Sequence, residues 1–533
     1  MAPRGPRLSN RLTRRSFGAL CCVPVLASAV TGGCRRGSST QGARPSSEPT
    51  HSGTTPERVA VDLSSPLGSF HRLSGVQGSP HPIVAADVDH RVHFRAHHIE
   101  HARFPQDCPP NTLTLGAIFP DEKADPDHAA SYAFGAIDAH VAAARAAGAK
   151  VLWQTSYDVG MSDRWKTINL GGRAPVDLER WSRVVTRCLE HFNNGWADGM
   201  QQAVHHVEFV NEPNGLGGFR GPRAKDLLPA FLRFLTTIED YNRAHPDTVV
   251  KSVGPAIPFS FPDWSTWQPR FDKALAAMKA AGKRLDVFSF HTYGSDVSPR
   301  ANQRLALALR ELLNQHGMQR TELWNTEWLG GDFLRKHLGI DRSLIDSPTE
   351  KQARLYGSGM AAYALANKIR WQGVVTGSYY YRANLRAFPP HVEAKLAERA
   401  RPGLALLFGS DGKSRPLAYQ ESLTHRVTQD TPLRCQTSWQ DDGLLAAQGL
   451  RSEDGSRAAV LICSLAAEAR GVRVRWTGLG QRRLVEARAV VLDGQSAPLA
   501  ERSLDLHQPA GGILELRAEL PPLGTQLLSL RLA

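Results

Sequence analysis

A short strand-like segment that runs into a carboxylate constrains the fold of this chain more than any other feature. Residues 204–210 (VHHVEFV) are rich in apolar, β-branched and aromatic side chains, which indicates a buried β-strand. The run stops at Asn211, Glu212 and Pro213, and glycines follow. Because proline cannot donate a hydrogen bond to a neighbouring strand, the chain is predicted to leave the sheet here, with Glu212 at the strand's carboxyl end.

A second segment has the same pattern. Residues 322–326 (ELWNT) are strand-like and run into Glu327, and paired glycines follow at 330–331. Glu327 lies 115 residues after Glu212, an interval that holds roughly three units of strand and crossover helix at about 30 residues or more each. The two glutamates are therefore expected at the ends of the fourth and seventh strands of a parallel barrel. The carboxyl ends of such strands form the rim where functional side chains collect.

Strand-like and helix-like segments alternate along the chain in the order that a parallel α/β barrel requires. The predicted barrel strands lie near residues 75–78, 92–101, 150–155, 204–210, 249–253, 285–290, 322–326 and 373–380, and the predicted helices are 132–148, 175–191, 226–244, 271–281, 301–316 and 349–367. From about residue 431, short strands alternate with Gly and Asp turns, which predicts a β-sandwich. The predicted fold class is α/β, a (β/α)8 TIM barrel with an accessory C-terminal β-sandwich.

The two glutamates and their surroundings resemble glycoside hydrolases of clan A. The order of the motifs is most similar to glycoside hydrolase family 39, which holds β-xylosidases, α-L-iduronidases and exopolysaccharide hydrolases, and the likeness extends from about Val59 to about Ser422. It implies a retaining, two-glutamate cleavage of a glycosidic bond in an oligo- or polysaccharide. In that mechanism Glu212 is the acid/base, Glu327 is the nucleophile, and Asn211 contacts the sugar.

The same resemblance suggests further substrate contacts. Arg95 and His97 match a strand end at which the family's histidine contacts the sugar, and His291 or Tyr293 would orient Glu327. A satisfied core histidine is the alternative for His291.

Aromatic residues near the rim leave the identity of the sugar open. Trp324, Trp328 and Tyr293 are candidate stacking surfaces or core residues. The family often has a tryptophan at the position of Val210 and another at the end of strand eight, where this chain has tyrosines at 379–381. Both departures change the predicted shape of the sugar subsite.

A histidine cluster offers a different function. His97, His98 and His101 form an HHxxH pattern that could bind a metal ion if it were helical. Prolines at 105, 109 and 110 argue against a helix, so no metal or cofactor is predicted. A metal-dependent hydrolase that uses this cluster, or a carbohydrate-binding barrel without turnover, are the alternative functions.

The chain is long enough for more than one domain, and its amino terminus predicts an export signal. The first 44 residues hold eight arginines and no acidic residue, and Arg14-Arg15 before an uncharged stretch resembles a twin-arginine signal. A basic surface arm is the alternative. Cleavage near Ala29 or lipidation at Cys34 would give a periplasmic, secreted or membrane-anchored protein. The predicted organisation is a signal at 1–34, a disordered linker at 35–57, a strand joining the accessory sandwich at 58–68, the barrel at 69–430 and the sandwich at 431–533.

Charge and cysteine usage exclude some partners and sites. Setting aside the eight arginines of the leader lowers the formal net charge from +13 to +5. Because the sequence has no basic helix, nucleic acid is not a predicted partner. The predicted partner is a carbohydrate substrate. Cys108, Cys188, Cys435 and Cys463 lie far apart without a CxxC pair, which indicates buried free thiols, with one disulfide as the alternative.

Overall fold

Two β-sheets organise the protein, a closed barrel and a nine-stranded accessory sheet. The computed structural model describes residues 57–80, 89–104, 113–156, 177–212, 224–258, 263–294, 296–339, 350–381, 383, 407–408, 413–493, 499–504 and 513–533. The predicted signal at 1–34, with Cys34, and the predicted linker except residue 57 lie outside these ranges. Among the described residues, no helix combines the length and the apolar character needed to cross a membrane.

The barrel consists of eight parallel strands. Strand β1 (Glu57–Ser69) comes before them and belongs to the accessory sheet. The barrel strands are β2 (Gly75–Gln77), β3 (His101–Phe104), β4 (Lys150–Gln154), β5 (Val204–Glu208), β6 (Lys251–Pro258), β7 (Val287–Thr292), β8 (Glu322–Trp328) and β9 (Gly377–Tyr380). Because β2 pairs with both β3 and β9, the barrel is closed. Glu212 and Glu327 thus follow or end the fourth and seventh barrel strands, as their spacing predicted.

Helices connect the barrel strands and cover the barrel. They comprise His90–Ala96, Leu115–Ile118, Gly135–Ala146, Leu178–Asn194, Ala224–Ala244, Trp264–Ala280, Pro299–Gln315, Gly331–Leu338, Glu350–Trp371 and Pro416–Asp430. The helix before β5 shows why the sequence forms them. The Asp177 side chain accepts a hydrogen bond from the Arg180 backbone N–H at its start, and Gly195, with φ of 77°, ends it in the left-handed conformation.

The accessory sheet curls around a core of its own. Its remaining strands are β10 (Leu433–Trp439), β11 (Leu445–Arg451), β12 (Arg457–Ser464), β13 (Arg470–Thr477), β14 (Leu484–Leu492), β15 (Glu501–Ser503), β16 (Leu514–Leu520) and β17 (Thr525–Leu532). The strand order is β15-β14-β17-β12-β11-β10-β1-β13-β16. Apolar residues from every strand except β15 meet in one cluster. The predicted fold class, a TIM barrel with an accessory β-domain, is confirmed.

Strand β12 shows how the accessory sheet is joined to the barrel. Val460 and Ile462 belong to the sheet's own apolar cluster, whereas Leu461 and Cys463 belong to the cluster that contains the barrel's helices and strands. Alternate side chains of a strand point to opposite faces. At β12, one face of the sheet therefore packs on the accessory core and the other packs on the barrel.

The prediction for residues 92–101 was wrong. Asp89 caps a helix over His90–Ala96 by accepting from the Arg91 N–H, and the second barrel strand is β3, which ends at Phe104. The prolines that argued against a helix come after β3, so they do not interrupt it. Arg95 and His97 consequently precede β3 and lie near the amino ends of the barrel strands, away from the rim.

The described cysteines agree with the interpretation as buried free thiols. Cys188, Cys435 and Cys463 are free and buried, while Cys108 lies outside the described residues. Burial raises the pKa of each of these three thiols.

Candidate active site

Arg103 of β3 is the centre of a buried polar network at the carboxyl ends of the barrel strands. Its Nε donates to Glu208 Oε2 at 2.6 Å. Its Nη1 donates to Glu327 Oε2 at 2.7 Å and to Gln77 Oε1 at 2.5 Å, and its Nη2 donates to Asn211 Oδ1 at 2.9 Å. The network therefore ties together β2, β3, β5 and β8.

The network keeps Arg103 charged although the side chain is fully buried. Burial by itself would lower the pKa of Arg103, but attraction to Glu208 and Glu327 outweighs it, and the pKa is raised. A buried ion pair is tolerated when hydrogen bonds also satisfy its remaining polar atoms. Gln154 contributes to this, because with its amide oxygen turned toward the network it accepts from Arg103 Nη2 at 2.9 Å.

Glu212 lies in a strained turn directly after β5. Its φ of 41° is in the left-handed region, which residues other than glycine and asparagine rarely adopt. The Glu212 N–H donates to the carbonyl of Ala256 at 3.2 Å, which holds the turn against β6. The Glu212 side chain is 25% exposed, compared with 4% for Glu327. Of the two carboxyl groups, Glu212 is the one that solvent reaches more easily.

His291 of β7 bridges Glu212 and Arg103. Its Nδ1 lies 3.0 Å from Glu212 Oε1, and its Nε2 lies 3.5 Å from Arg103 Nη2. Because the guanidinium can only donate, Nε2 is the acceptor nitrogen and the ring proton belongs on Nδ1. His291 thus donates to Oε1 of Glu212.

A β-bulge in β8 directs Glu327 into the barrel. Phe290 pairs with Asn325 but His291 pairs with Glu327, so Thr326 is an extra residue in β8. Trp324 packs with the side chains that fill the barrel interior. Strict alternation from Trp324 would turn Glu327 outward, toward the helices. The bulge reverses this parity and brings Glu327 to Arg103.

Two donors hold the Glu327 carboxylate. Arg103 donates to Oε2, and the Tyr293 hydroxyl makes a short hydrogen bond to Oε1. Burial raises the pKa of Glu327, and Glu212 acts in the same direction. His291, Arg103 and the Tyr293 hydroxyl act against them without cancelling them. Burial also raises the pKa of Tyr293, so its hydroxyl remains a donor.

The separation of the two glutamates selects among reactions. Ligand atoms of Glu212, His291 and Glu327 all lie within 4.8 Å of one another. Paired carboxyl groups about 5–5.5 Å apart suit direct attack by one of them, whereas about 6.5–9.5 Å is needed to admit an attacking water. Within the described residues these three side chains are also the one group arranged to hold a metal ion, although Arg103 already supplies a cation to Glu327.

The structure brings five of the predicted site residues together and separates three. The five that converge are Asn211, Glu212, His291, Tyr293 and Glu327. Arg95 is exposed and donates to the Ala146 carbonyl. His97 is buried between hydroxyl groups, with Nδ1 2.8 Å from Ser422 Oγ and Nε2 2.6 Å from Ser414 Oγ.

The two candidate tryptophans are core residues. Trp328 is buried against Tyr363, Trp371 and Tyr380 on the outer side of the barrel, so it cannot stack on a substrate. Trp324 lies inside the barrel near the amino end of β8, where its Nε1 donates to Glu322 Oε2 at 3.0 Å.

The three histidines of the HHxxH pattern do not converge on a metal site. His97 bonds to two serines, and His98 stacks on His425 with ring centroids 3.5 Å apart. His101 lies inside the barrel, where burial lowers its pKa to about 4 and Nδ1 lies 3.3 Å from the Tyr379 hydroxyl.

Sequence analysis missed Arg103, Glu208, Gln77 and Gln154. Glu208 could have been found from the sequence, because a charged residue within an otherwise apolar, strand-like run predicts a buried partner of opposite charge. Arg103 had the same signal within HARF, residues 101–104, once those residues are assigned to a strand. The two glutamines had no comparable signal.

Solved structures share this architecture at low sequence identity. No known family model matches the sequence, and no protein of curated function matches it. A glucosidase from Croceicoccus marinus superposes with a TM-score of 0.63 at 22% identity, over 90% of this chain and 99% of that one. A GH39 enzyme from Xanthomonas axonopodis pv. citri superposes with a TM-score of 0.60 at 16% identity, over 90% of this chain and 98% of that one. A monomeric β-xylosidase from Caulobacter crescentus superposes with a TM-score of 0.59 at 15% identity, over 89% of this chain and 99% of that one. These likenesses establish the fold, and the neighbours include the family that the motifs resemble.

Proposed function

We propose that this protein is a retaining glycoside hydrolase that cleaves a bond in an oligo- or polysaccharide. The observation that carries the proposal is the approach of Glu212 and Glu327, within 4.8 Å, at the carboxyl ends of the barrel strands. Because this bound joins one oxygen of each carboxyl group, it favours a carboxylate that attacks the anomeric carbon over one that activates an intervening water. The glycosidases of the same fold named above support the assignment.

The geometry divides the labour between the two carboxyl groups. Glu327 is held from both sides by Arg103 and Tyr293, which suits a nucleophile that must keep one orientation. Glu212 is more exposed and has one oxygen occupied by His291. Its other oxygen can protonate the leaving oxygen while the Glu327–carbon bond forms.

The second half of the reaction reverses these roles. Glu212, now ionised, takes a proton from a water molecule, and the water oxygen attacks the anomeric carbon. The Glu327–carbon bond breaks and the sugar leaves with its original configuration. Asn211, whose side-chain oxygen is bound to Arg103, is placed beside Glu212 to contact the sugar's hydroxyl groups.

Substitution of each glutamate tests the division of roles. After a panel of aryl glycosides has identified a substrate, Glu327→Ala should lower the rate by about 10⁴-fold or more, and azide should rescue it only as the inverted glycosyl azide. Glu212→Ala should still react with an activated aryl glycoside and accumulate a glycosyl-enzyme. Azide should then release a product of retained configuration.

Glu322→Gln is the matched control, since Glu322 begins the same strand at the opposite end of the barrel. Its activity should stay near that of the unsubstituted protein. Chelators should have no effect, since the proposed steps use no metal ion. If both Glu212→Ala and Glu327→Ala keep nearly full rates on every substrate, the proposed function is wrong.

A further inference from the structure

A row of arginines crosses three adjacent strands on the outer face of the accessory sheet. Arg58 of β1 is the register partner of Arg473 of β13, and Arg473 is the register partner of Arg517 of β16. The residues that alternate with them belong to the accessory core, so the arginines lie on the opposite, outer face. Neighbouring strands are about 4.8 Å apart, so the row is about 10 Å long.

This arrangement opposes the stability of the sheet. Like charges placed directly opposite each other on neighbouring strands repel. Glu515 relieves part of the repulsion by pairing with Arg473 at 3.0 Å. Within the part of the chain that the structure describes, no carboxylate forms an ion pair with Arg58, Arg475 or Arg517, although Glu515 is the register partner of Arg475. Folding alone gives no reason to keep these cations together.

A groove of about 460 Å³ lies over two members of the row, Arg58 and Arg473. Arg58, Arg473 and Arg475 line it together with Glu515, so the charged groups of the lining sum to +2. Trp439 also lines the groove, but its register partner Val59 belongs to the accessory core, so its ring lies on the core face of the sheet beside the guanidinium of Arg370. The groove therefore presents a net positive charge on the outer face of the sheet.

We propose that this groove binds the carboxylate groups of an acidic polysaccharide. Guanidinium groups pair with carboxylates in bidentate geometry, and a row of this length suits a polymer with repeated charges better than one small anion. Nucleic acid would call for a wider basic surface than the three arginines of this groove provide. The choice of a polysaccharide rests on the proposed glycosidase function.

Retardation in gels containing polygalacturonate measures this binding as a dissociation constant. The triple substitution Arg58→Gln, Arg473→Gln, Arg475→Gln removes the three arginines that line the groove and should weaken binding by about tenfold or more, since three charge-assisted contacts are lost. The control removes three exposed arginines elsewhere, as Arg284→Gln, Arg320→Gln, Arg502→Gln, and should stay within about twofold because it leaves the groove intact. Equal weakening by both sets would mean general attraction and would overturn the proposal.

A variant that should bind polygalacturonate more tightly provides a second measurement, which does not require the triple variant to fold. Glu515→Gln removes the groove's negative charge and should tighten binding, so weaker binding would count against the site. Polygalacturonate whose carboxylates have been reduced to alcohols should not bind. Equal binding of that neutral polymer, or tighter binding of duplex DNA through the same arginines, would also overturn the proposal.

Catalysis separates this proposal from the proposed function. All these variants should hydrolyse an aryl glycoside as fast as the unsubstituted protein, because none of the residues lies at the barrel rim. If the protein hydrolyses an aryl glycoside but does not bind polygalacturonate, only the proposal that the groove binds an acidic polysaccharide is wrong. If the protein binds polygalacturonate but hydrolyses no glycoside, the proposed binding site is supported and the proposed glycosidase function is wrong.

Discussion

At the scale of single residues, Arg103 determines whether two buried carboxylates can exist at the rim. Arg103→Met removes the cation that Glu208 and Glu327 share, which leaves Glu208 without an ion-pair partner and Glu327 with the Tyr293 hydroxyl. The free energy of unfolding should fall by about 3–5 kcal/mol, as measured by urea denaturation. Adding Glu208→Met should recover part of this loss, because one uncompensated carboxylate then disappears.

Arg95→Met is the control for that substitution. Arg95 is exposed and donates to one backbone carbonyl, so its loss should change the unfolding free energy by less than about 1 kcal/mol. A similar small change for Arg103→Met would show that the network does not hold the rim together.

Tyr293→Phe should move the pH dependence of hydrolysis. The Tyr293 hydroxyl lowers the pKa of Glu327, so removing it raises that pKa. The proposed nucleophile acts only when ionised, and activity is lost as the pH falls through its pKa. The acidic limb of the kcat/KM profile should therefore shift to higher pH, and kcat should fall by about 10–100-fold.

Tyr381→Phe is matched to this variant, since the Tyr381 ring packs edge-on against Tyr293. Its acidic limb should stay in place. An unshifted limb in Tyr293→Phe would show that this hydroxyl does not tune Glu327.

The site could be predicted from the sequence only where a motif fixes position along the chain. Glu212 and Glu327 were found because each follows a strand-like run of residues and is itself followed by glycines. The orientation of Glu327 could not be predicted, because it depends on the bulge at Thr326, a feature of pairing between strands. Arg103 was missed because its partners come from distant strands, so no local pattern records them.

At the scale of elements, apolar periodicity located most barrel strands and helices, because each has one buried face. The segment at 90–104 failed because its helix is short and histidine-rich, so that it lacks a clear apolar stripe. With that helix unrecognised, the strand was placed too early and Arg95 and His97 were assigned to the rim.

Gly330 sets how closely the segment after β8 approaches the helix Glu350–Trp371. A Cβ at this position would lie 2.3 Å from Tyr363 Cδ1, and the Tyr363 ring is fully buried. Gly330→Ala should therefore lower the unfolding free energy by about 1–3 kcal/mol through overpacking.

Gly135→Ala is the corresponding control, because no atom lies within 4 Å of the added Cβ. Gly135 begins a helix, and alanine there should be neutral or stabilise the protein by up to about 1 kcal/mol. Urea denaturation of both variants compares them directly. Equal effects would contradict the packing argument.

At the scale of the whole molecule, we propose export through a twin-arginine signal. Arg14→Lys together with Arg15→Lys should retain the protein in the cytoplasm, as measured by cell fractionation, because the signal depends on the arginine pair. Cys34→Ala should release the exported protein from the membrane fraction if Cys34 is lipidated. Normal export of the double variant would reject the signal.

The position of β1 in the chain determines when the accessory sheet can form during synthesis. β1 leaves the ribosome early, but its partners β10 and β13 follow the entire barrel. At about 5–20 residues per second, their synthesis takes roughly another 20–80 s. During that time Val59 and Val61 have no sheet to cover them. Under the export proposed here, an exporter that accepts only folded cargo would therefore wait for the last strands, although the proposed signal is synthesised first.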